Sequence, residues 1–221
     1  MIVSMWMTRN VVTIGPNESV ADAATLMARK RVRRLPVTET HGHEVRLLGM
    51  VSASDILHAF PPDVNPFAVE APDAKQAPQT VGEIMERETE TVTPATPIEE
   101  AAATMRDRKI GALPVLHEGH MVGLITESDI FRAIVSLLSL PGKGVRITFD
   151  VSRDEDVFSF IGQLARKRGM RVVSLISAEQ DNRPECVVRV AGENVDKFLD
   201  DIWASGHVVL NVLRFPLETD K

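Results

Sequence analysis

Apolar positions along the first 138 residues follow one pattern twice. Val20, Ala23, Ala24 and Met27 fall at i, i+3, i+4 and i+7, and Ile98, Ala101, Ala102 and Met105 repeat that spacing, so each set makes one face of a helix. Ser19, with Asp22 three residues on, predicts the first helix start, and Thr96, Pro97 and Glu99 predict the second. Apolar runs of strand length follow at 34–37 and 47–51, then at 112–116 and 121–125. Each pair is joined by a polar turn with Gly and His.

Shifting the chain by 78 residues aligns Met7 with Met85, Thr13 with Thr91, Pro16 with Pro94, and Leu35-Pro36-Val37 with Leu113-Pro114-Val115. The offset then falls to 74, aligning the turn Gly49-Met50-Val51-Ser52-Ala53-Ser54-Asp55 with Gly123-Leu124-Ile125-Thr126-Glu127-Ser128-Asp129. The slip lies near Thr40-His41-Gly42-His43 and marks a hairpin tip, because surface turns tolerate insertions that packed elements do not. Each copy therefore reads strand, helix, strand, strand, helix, and the two half-modules are expected to pack sheet to sheet. Residues 1–60 form the first, 61–79 a proline-rich linker, and 80–138 the second.

After residue 143 the pattern changes. Strands are predicted at 145–151, 170–176, 186–190 and 207–213, with helices at 154–168 and 194–204. The order β-α-β-β-α-β over residues 144–215 is ferredoxin-like. The fold class is thus α/β (α+β).

Composition limits the function classes. Apolar content of 44% is ample for a core, and a net charge of −6 argues against a general nucleic-acid binder. No apolar run reaches membrane-spanning length, the start lacks a signal-peptide pattern, and the lone Cys186 suits a reducing cytoplasm. Cys186 sits in an apolar strand and reads as a buried thiol.

The repeated Gly-h-h-(Ser/Thr)-x-x-Asp turn allows two readings. Ser52 with Asp55, and Thr126 with Asp129, have the spacing of a helix-capping box. The same carboxylates could accept both hydroxyls of a ribose, with Ser54 and Ser128 adding hydroxyls and Gly49 and Gly123 letting a ligand approach the strand. The run Arg29-Lys30-Arg31-Val32-Arg33-Arg34 reads as a helix C-terminus, where cations complement the dipole. His41, His43, His117 and His120 sit in hairpin tips without a recognisable metal spacing, so no metal is expected. Neither a catalytic triad nor a phosphate loop stands out, so no catalytic residue is assigned.

These residues resemble the cystathionine-β-synthase (CBS) domain pair over positions 1 to about 138. The resemblance implies a pseudo-twofold pair binding adenosine-containing ligands (AMP, ADP, ATP or S-adenosylmethionine) in two clefts as regulatory ligands rather than cofactors. By that resemblance Asp129 and Thr126 work with Thr13 and Ile14, Asp55 and Ser52 work with Thr91 and Val92, and adenine lies against Met50 and Leu124. Arg33 matches a phosphate-holding position, with Arg31 and Arg34 as weaker candidates. Gly111 stands in its place in the second copy, so the clefts are expected to differ. The C-terminal part resembles an ACT domain, although the turn Ser152-Arg153-Asp154-Glu155-Asp156 lacks the glycine that admits an amino acid. Ligand binding and dimerisation both remain open there. The whole arrangement is similar to acetoin-utilisation AcuB-type proteins. It implies a non-enzymatic cytoplasmic sensor acting as a homodimer, with an assembly module regulating a partner enzyme as the alternative.

Overall fold

The computed structural model describes residues 1–42, 44–60, 65–67, 80–138, 143–152, 156–180 and 182–215. Most of the 61–79 linker and residues 153–155 of the glycine-free turn lie outside the described residues. Two compact units divide the chain, Met1–Ala133 and Ile134–Lys221.

The first repeat holds α1 (Val20–Lys30), β1 (Arg34–His41), β2 (Glu44–Ser52) and α2 (Ala53–Ala59). A short helix, α3 (Val81–Ile84), precedes the second repeat, which holds α4 (Ile98–Arg108), β3 (Ala112–His117), β4 (His120–Thr126) and α5 (Glu127–Leu138). Helix α1 buries Val20, Ala23, Ala24 and Met27, the face set by its apolar spacing. Ser19 caps it by accepting from the Asp22 N–H at 3.0 Å. The second start differs from expectation. Pro97 occupies the cap position without a side-chain bond, and the Thr96 hydroxyl instead accepts from the Thr93 N–H at 3.0 Å. Both helices end on a left-handed non-glycine residue, Arg31 (φ 54°) and Lys109 (φ 55°).

β1 pairs antiparallel with β2 and β3 with β4, each with a register shift just after the matched valine, Val37 or Val115. The four extra residues of the first copy lengthen both strands, to 8 and 9 residues against 6 and 7. Sequence alignment placed the insertion at the tip, and strand extension absorbs it. The opening strand of each copy is a single parallel bridge, Ile14 to Val37 and Val92 to Val115.

The two repeats exchange their leading segments. A 3₁₀ turn at Val3–Met5 packs on the second repeat, where Val3 N–H donates to Thr96 O (2.9 Å) and Thr8 bridges Leu124. Helix α3 packs on the first, where Val81 N–H donates to Glu18 O (2.9 Å) and Glu86 bridges Met50. Accordingly Val81 and Met85 join the core of Val20, Met27, Leu35, Val51 and Ile56, while Val3 and Met7 join that of Met105, Leu113, Ile125 and Ala133. β2 packs against β4, and Met50, Ala112, Met121 and Leu124 form the apolar seam between the hairpins.

The second unit holds β5 (Gly144–Asp150), α6 (Val157–Arg168), β6 (Arg171–Gln180), β7 (Arg183–Ala191), α7 (Val195–Ala204) and β8 (Val209–Phe215). Its sheet runs β6-β7-β5-β8 with every pair antiparallel, the ferredoxin-like order. Alternate residues Val145, Ile147, Phe149, Cys186, Val188 and Val190 face the apolar sides of α6 and α7. Cys186 is fully buried, and burial pushes its thiol above the ordinary value.

Arg168 at the end of α6 grips Asp201 of α7 through two bonds, Nε at 2.6 Å and Nη2 at 2.8 Å. The Arg168 side-chain bond, and then its charge with that of Lys167, hold the Asp201 carboxyl below its ordinary value against an opposing burial effect. A lowered native value contributes stability above the ordinary carboxylate range near pH ~4 and loses it as pH falls through the native value. Urea unfolding from pH 7 to pH 2 is therefore expected to show a shallower acid decline in Asp201→Asn than in the wild type. Parallel acid limbs would contradict this.

Candidate functional site

The two β-to-α junctions carry the duplicated turn, and in both the carboxylate caps its helix. Asp55 Oδ2 accepts from the Ser52 N–H (2.7 Å) and hydroxyl (2.6 Å), while Ser52 Oγ accepts from the Asp55 N–H (3.3 Å). Asp129 Oδ2 accepts from the Thr126 N–H (2.9 Å) and hydroxyl (2.8 Å), with the reciprocal bond at 3.3 Å. The second site is more closed. Asp129 is 6% exposed, and its Oδ1 accepts from Arg132 Nη2 at 2.6 Å. Asp55 is half-buried and faces a hollow.

Gly49 and Gly123 do not open the strands to a ligand. A Cβ on Gly49 would lie 2.4 Å from the Glu86 carbonyl oxygen, and one on Gly123 would lie 2.8 Å from Met7 Sδ and 2.9 Å from the Thr8 carbonyl oxygen. Their missing side chains admit the exchanged leading segments. The sequence assigned this space to a small molecule because a glycine records close approach without recording what approaches.

Among the described residues, two hollows lie between the repeats. The first is lined by residues 31–34 of one repeat and by Gly111, Ala112, Leu124, Thr126, Glu127 and Ser128 of the other. The second is lined by Arg34, Met50, Ser52 and Asp55 on one side, and by Glu86, Glu88, Thr89, Glu90, Ile110 and Ala112 on the other. Leu124 and Met50 occupy matching places, as do Thr126 and Ser52. In both hollows an apolar wall stands beside a hydroxyl at a helix start, which suits a flat base joined to a polar sugar.

The opening strands go elsewhere. The Ile14 N–H donates to Pro36 O (3.1 Å), and Ile14 O accepts from the Thr38 N–H (2.9 Å). Val92 makes the same pair of bonds to Pro114 and Leu116. Thr13 and Ile14 line a third hollow with Gly15, Glu18, Asp22, Thr25 and Thr38, all of their own repeat. Thr13 and Ile14 do not line the first hollow with Thr126, and Thr91 and Val92 do not line the second with Ser52 and Asp55. Ser128 lines the first hollow, whereas Ser54 is exposed and lines neither. The physical reason is local: each opening strand satisfies its backbone on the nearest edge, its own hairpin.

Arginines 31, 33 and 34 face the first hollow together, although Arg29 and Lys30 sit in the last turn of α1 as a dipole-matched end. Sequence reasoning ranked Arg34 below Arg33. The structure brings the Arg34 guanidinium over Gly111, where a Cβ would meet Nη1 at 2.4 Å. It also brings in Glu86, Glu88 and Glu90, which the sequence did not single out. Their signal was the exchange of leading segments, which no periodicity encodes. Among the described residues no group of three or more His, Cys, Asp or Glu could hold a metal ion, and His43 lies outside them. His120 Nε2 stands 3.7 Å from Glu44 of the facing hairpin.

Comparison with known proteins matches the CBS domain model to residues 3–62 and 81–136. Among solved structures, a putative acetoin utilization protein (AcuB) from Vibrio cholerae is 29% identical with a TM-score of 0.52, covering 64% of this chain and 98% of that one. CBSX2 in complex with AMP is 29% identical with a TM-score of 0.52, covering 62% and 98%. The CBS domain pair of MJ0100, in complex with 5'-methylthioadenosine and S-adenosyl-L-methionine, is 25% identical with a TM-score of 0.50, covering 62% and 97%. The chain spans less than half the length of two curated relatives from Methanocaldococcus jannaschii, 46% of one and 31% of the other.

Proposed function

The chain belongs to the CBS-domain family, and from that premise we propose that it is a non-enzymatic regulatory protein that binds an adenosine-containing ligand between its repeats. The observation that carries this reading is the first hollow, which Thr126 and Ser128 of one repeat line together with three arginines of the other. A base against Leu124, a sugar at Thr126 and a phosphate among Arg31, Arg33 and Arg34 would bridge the repeats, and a bridging ligand favours whichever arrangement of them it fits better. The AMP complex of CBSX2 and the adenosyl complexes of MJ0100 support this ligand class. The second hollow, with Met50, Ser52 and Asp55, is the matching subsite.

In this reading Asp129 acts chiefly as a helix cap and Asp55 keeps one oxygen for a ligand. Thr13, Ile14, Thr91 and Val92 hold the hairpins rather than the ligand, and Ser54 has no role. Residues 1–60 and 80–138 are the two ligand-binding repeats joined by 61–79, and residues 144–215 are an ACT-type unit serving self-association. The exposed apolar side chains Phe131 (70%), Ile134 and Val135 on α5 support pairing with a second copy of the chain, through which occupancy would be transmitted.

Thermal unfolding with AMP, ADP, ATP, 5'-methylthioadenosine or S-adenosylmethionine at millimolar concentration tests the reading. At least one should raise the midpoint by several degrees, because a ligand of the native state stabilises it by mass action. Absence of any shift would favour an assembly module without a small ligand.

A further inference from the structure

The two hollows have opposite charge and share two residues, Arg34 and Ala112. Three arginines and one glutamate, Glu127, line the first. Four acidic residues and one basic residue, Arg34, line the second, where Glu90 is paired with Arg108 at 3.0 Å. Arg34 lines both, and the position matching it in the second repeat is Ala112, which also lines both. A single cation therefore lines both hollows at a position that the second repeat fills with alanine. The Arg34 head group is held over Gly111, the one place in that loop where no side chain would displace it.

We propose that Arg34 is a shared cation that couples the two hollows, so that a phosphorylated adenosine in the first and a cationic adenosine derivative in the second bind with mutual advantage. This rests on the ligand-binding reading above and assigns a charge class to each hollow. A phosphate in the first hollow draws the Arg34 guanidinium into bidentate contact there and leaves its charge less available to the second hollow. The second hollow then becomes more negative, which favours a sulfonium or ammonium and disfavours a second phosphate. A cation in the second hollow, conversely, repels Arg34 toward the first. Linkage requires the two effects to be equal in size, and couplings of this kind span roughly 5- to 150-fold. Two phosphorylated ligands compete for the same guanidinium, so the chain should bind one molecule of ATP tightly and a second at least ~10-fold more weakly.

Isothermal titration of the full chain tests this with ATP and S-adenosylmethionine, each alone and each into protein saturated with the other. The expected result is at least ~5-fold tighter binding of each in the presence of the other. That gain should shrink in 0.5 M KCl and be smaller when neutral 5'-methylthioadenosine replaces the sulfonium. Arg34→Gln should remove the coupling and weaken ATP by ~10-fold or more. Its melting temperature without ligand checks the fold, and the wild-type salt series supplies a readout free of mutation. Independent or mutually exclusive binding of the two ligands, or an unchanged ATP affinity in Arg34→Gln, would overturn the proposal while leaving adenosine binding intact. Failure of every adenosine ligand to bind would overturn the underlying reading and the coupling with it.

Discussion

Replacing Gly49 by alanine is expected to lower the unfolding free energy by about 2–4 kcal/mol, an overpacking cost joined to the loss of bridge hydrogen bonds. The added Cβ would stand 2.4 Å from the Glu86 carbonyl oxygen and 3.2 Å from both Glu86 C and Met85 Sδ. A side chain can turn aside, but a backbone carbonyl moves only if its segment moves. That segment is held by two bonds, Met50 N–H to Glu86 O at 2.9 Å and Glu86 N–H to Met50 O at 2.8 Å. Displacing it also withdraws Met85 from the core of the first repeat. At Gly123 the nearest atom is the flexible Met7 sulfur and the Thr8 carbonyl oxygen stands at 2.9 Å rather than 2.4 Å, so Gly123→Ala should cost less than Gly49→Ala. Gly162 of α6, with no atom within 4 Å of an added Cβ, is the control that should not destabilise. Urea unfolding of the three variants measures the order, and a Gly49→Ala midpoint equal to the wild type would contradict the exchanged packing.

Asp129→Ala should be nearly as damaging, at about 2–3 kcal/mol, since it removes a cap, empties a buried site and leaves the half-buried Thr126 donors without a partner. One carboxylate there serves the Thr126 N–H, the Thr126 hydroxyl and the Arg132 guanidinium. Asp55→Ala should cost less, about 1–2 kcal/mol, because its site is half-buried and water can replace part of the cap. The asparagine variants separate capping from ligand binding. Asn keeps an oxygen for the backbone N–H of Ser52 or Thr126 but loses the charge. If Asp55→Asn unfolds near the wild-type midpoint and still weakens an adenosine ligand in the second hollow, the carboxylate serves the ligand as well as the helix. Unchanged affinity there would leave it a cap alone.

Much of the fold was legible because its signals are local. The 3.6-residue spacing of Val20, Ala23, Ala24 and Met27 sets the buried face of α1 wherever the helix goes. The strand order of the second unit follows from alternation at Val145, Ile147 and Phe149 together with two amphipathic helices, since this pattern has few compact solutions. Helix starts depend on which of several neighbouring groups takes the cap. Ser19 caps as predicted, but Thr96 turns back to Thr93 because Pro97 already supplies an extended, fixed-φ entry.

The sequence by itself determined the duplication, the elements of each copy, the repeated turns at Ser52–Asp55 and Thr126–Asp129, and the difference between the copies at Arg33 and Gly111. Tertiary structure alone decided what fills the space at Gly49 and Gly123, which strand Ile14 and Val92 join, and which residues face the hollows. Only there do Glu86, Glu88 and Glu90 meet Asp55, and only there does Arg34 reach both hollows. The reason is physical. Helix and strand formation are governed by neighbours a few positions apart, whereas the exchange of leading segments pairs residues such as Met50 and Glu86 that are far apart in the chain. It is selected by packing and backbone hydrogen bonds that no short window of sequence contains.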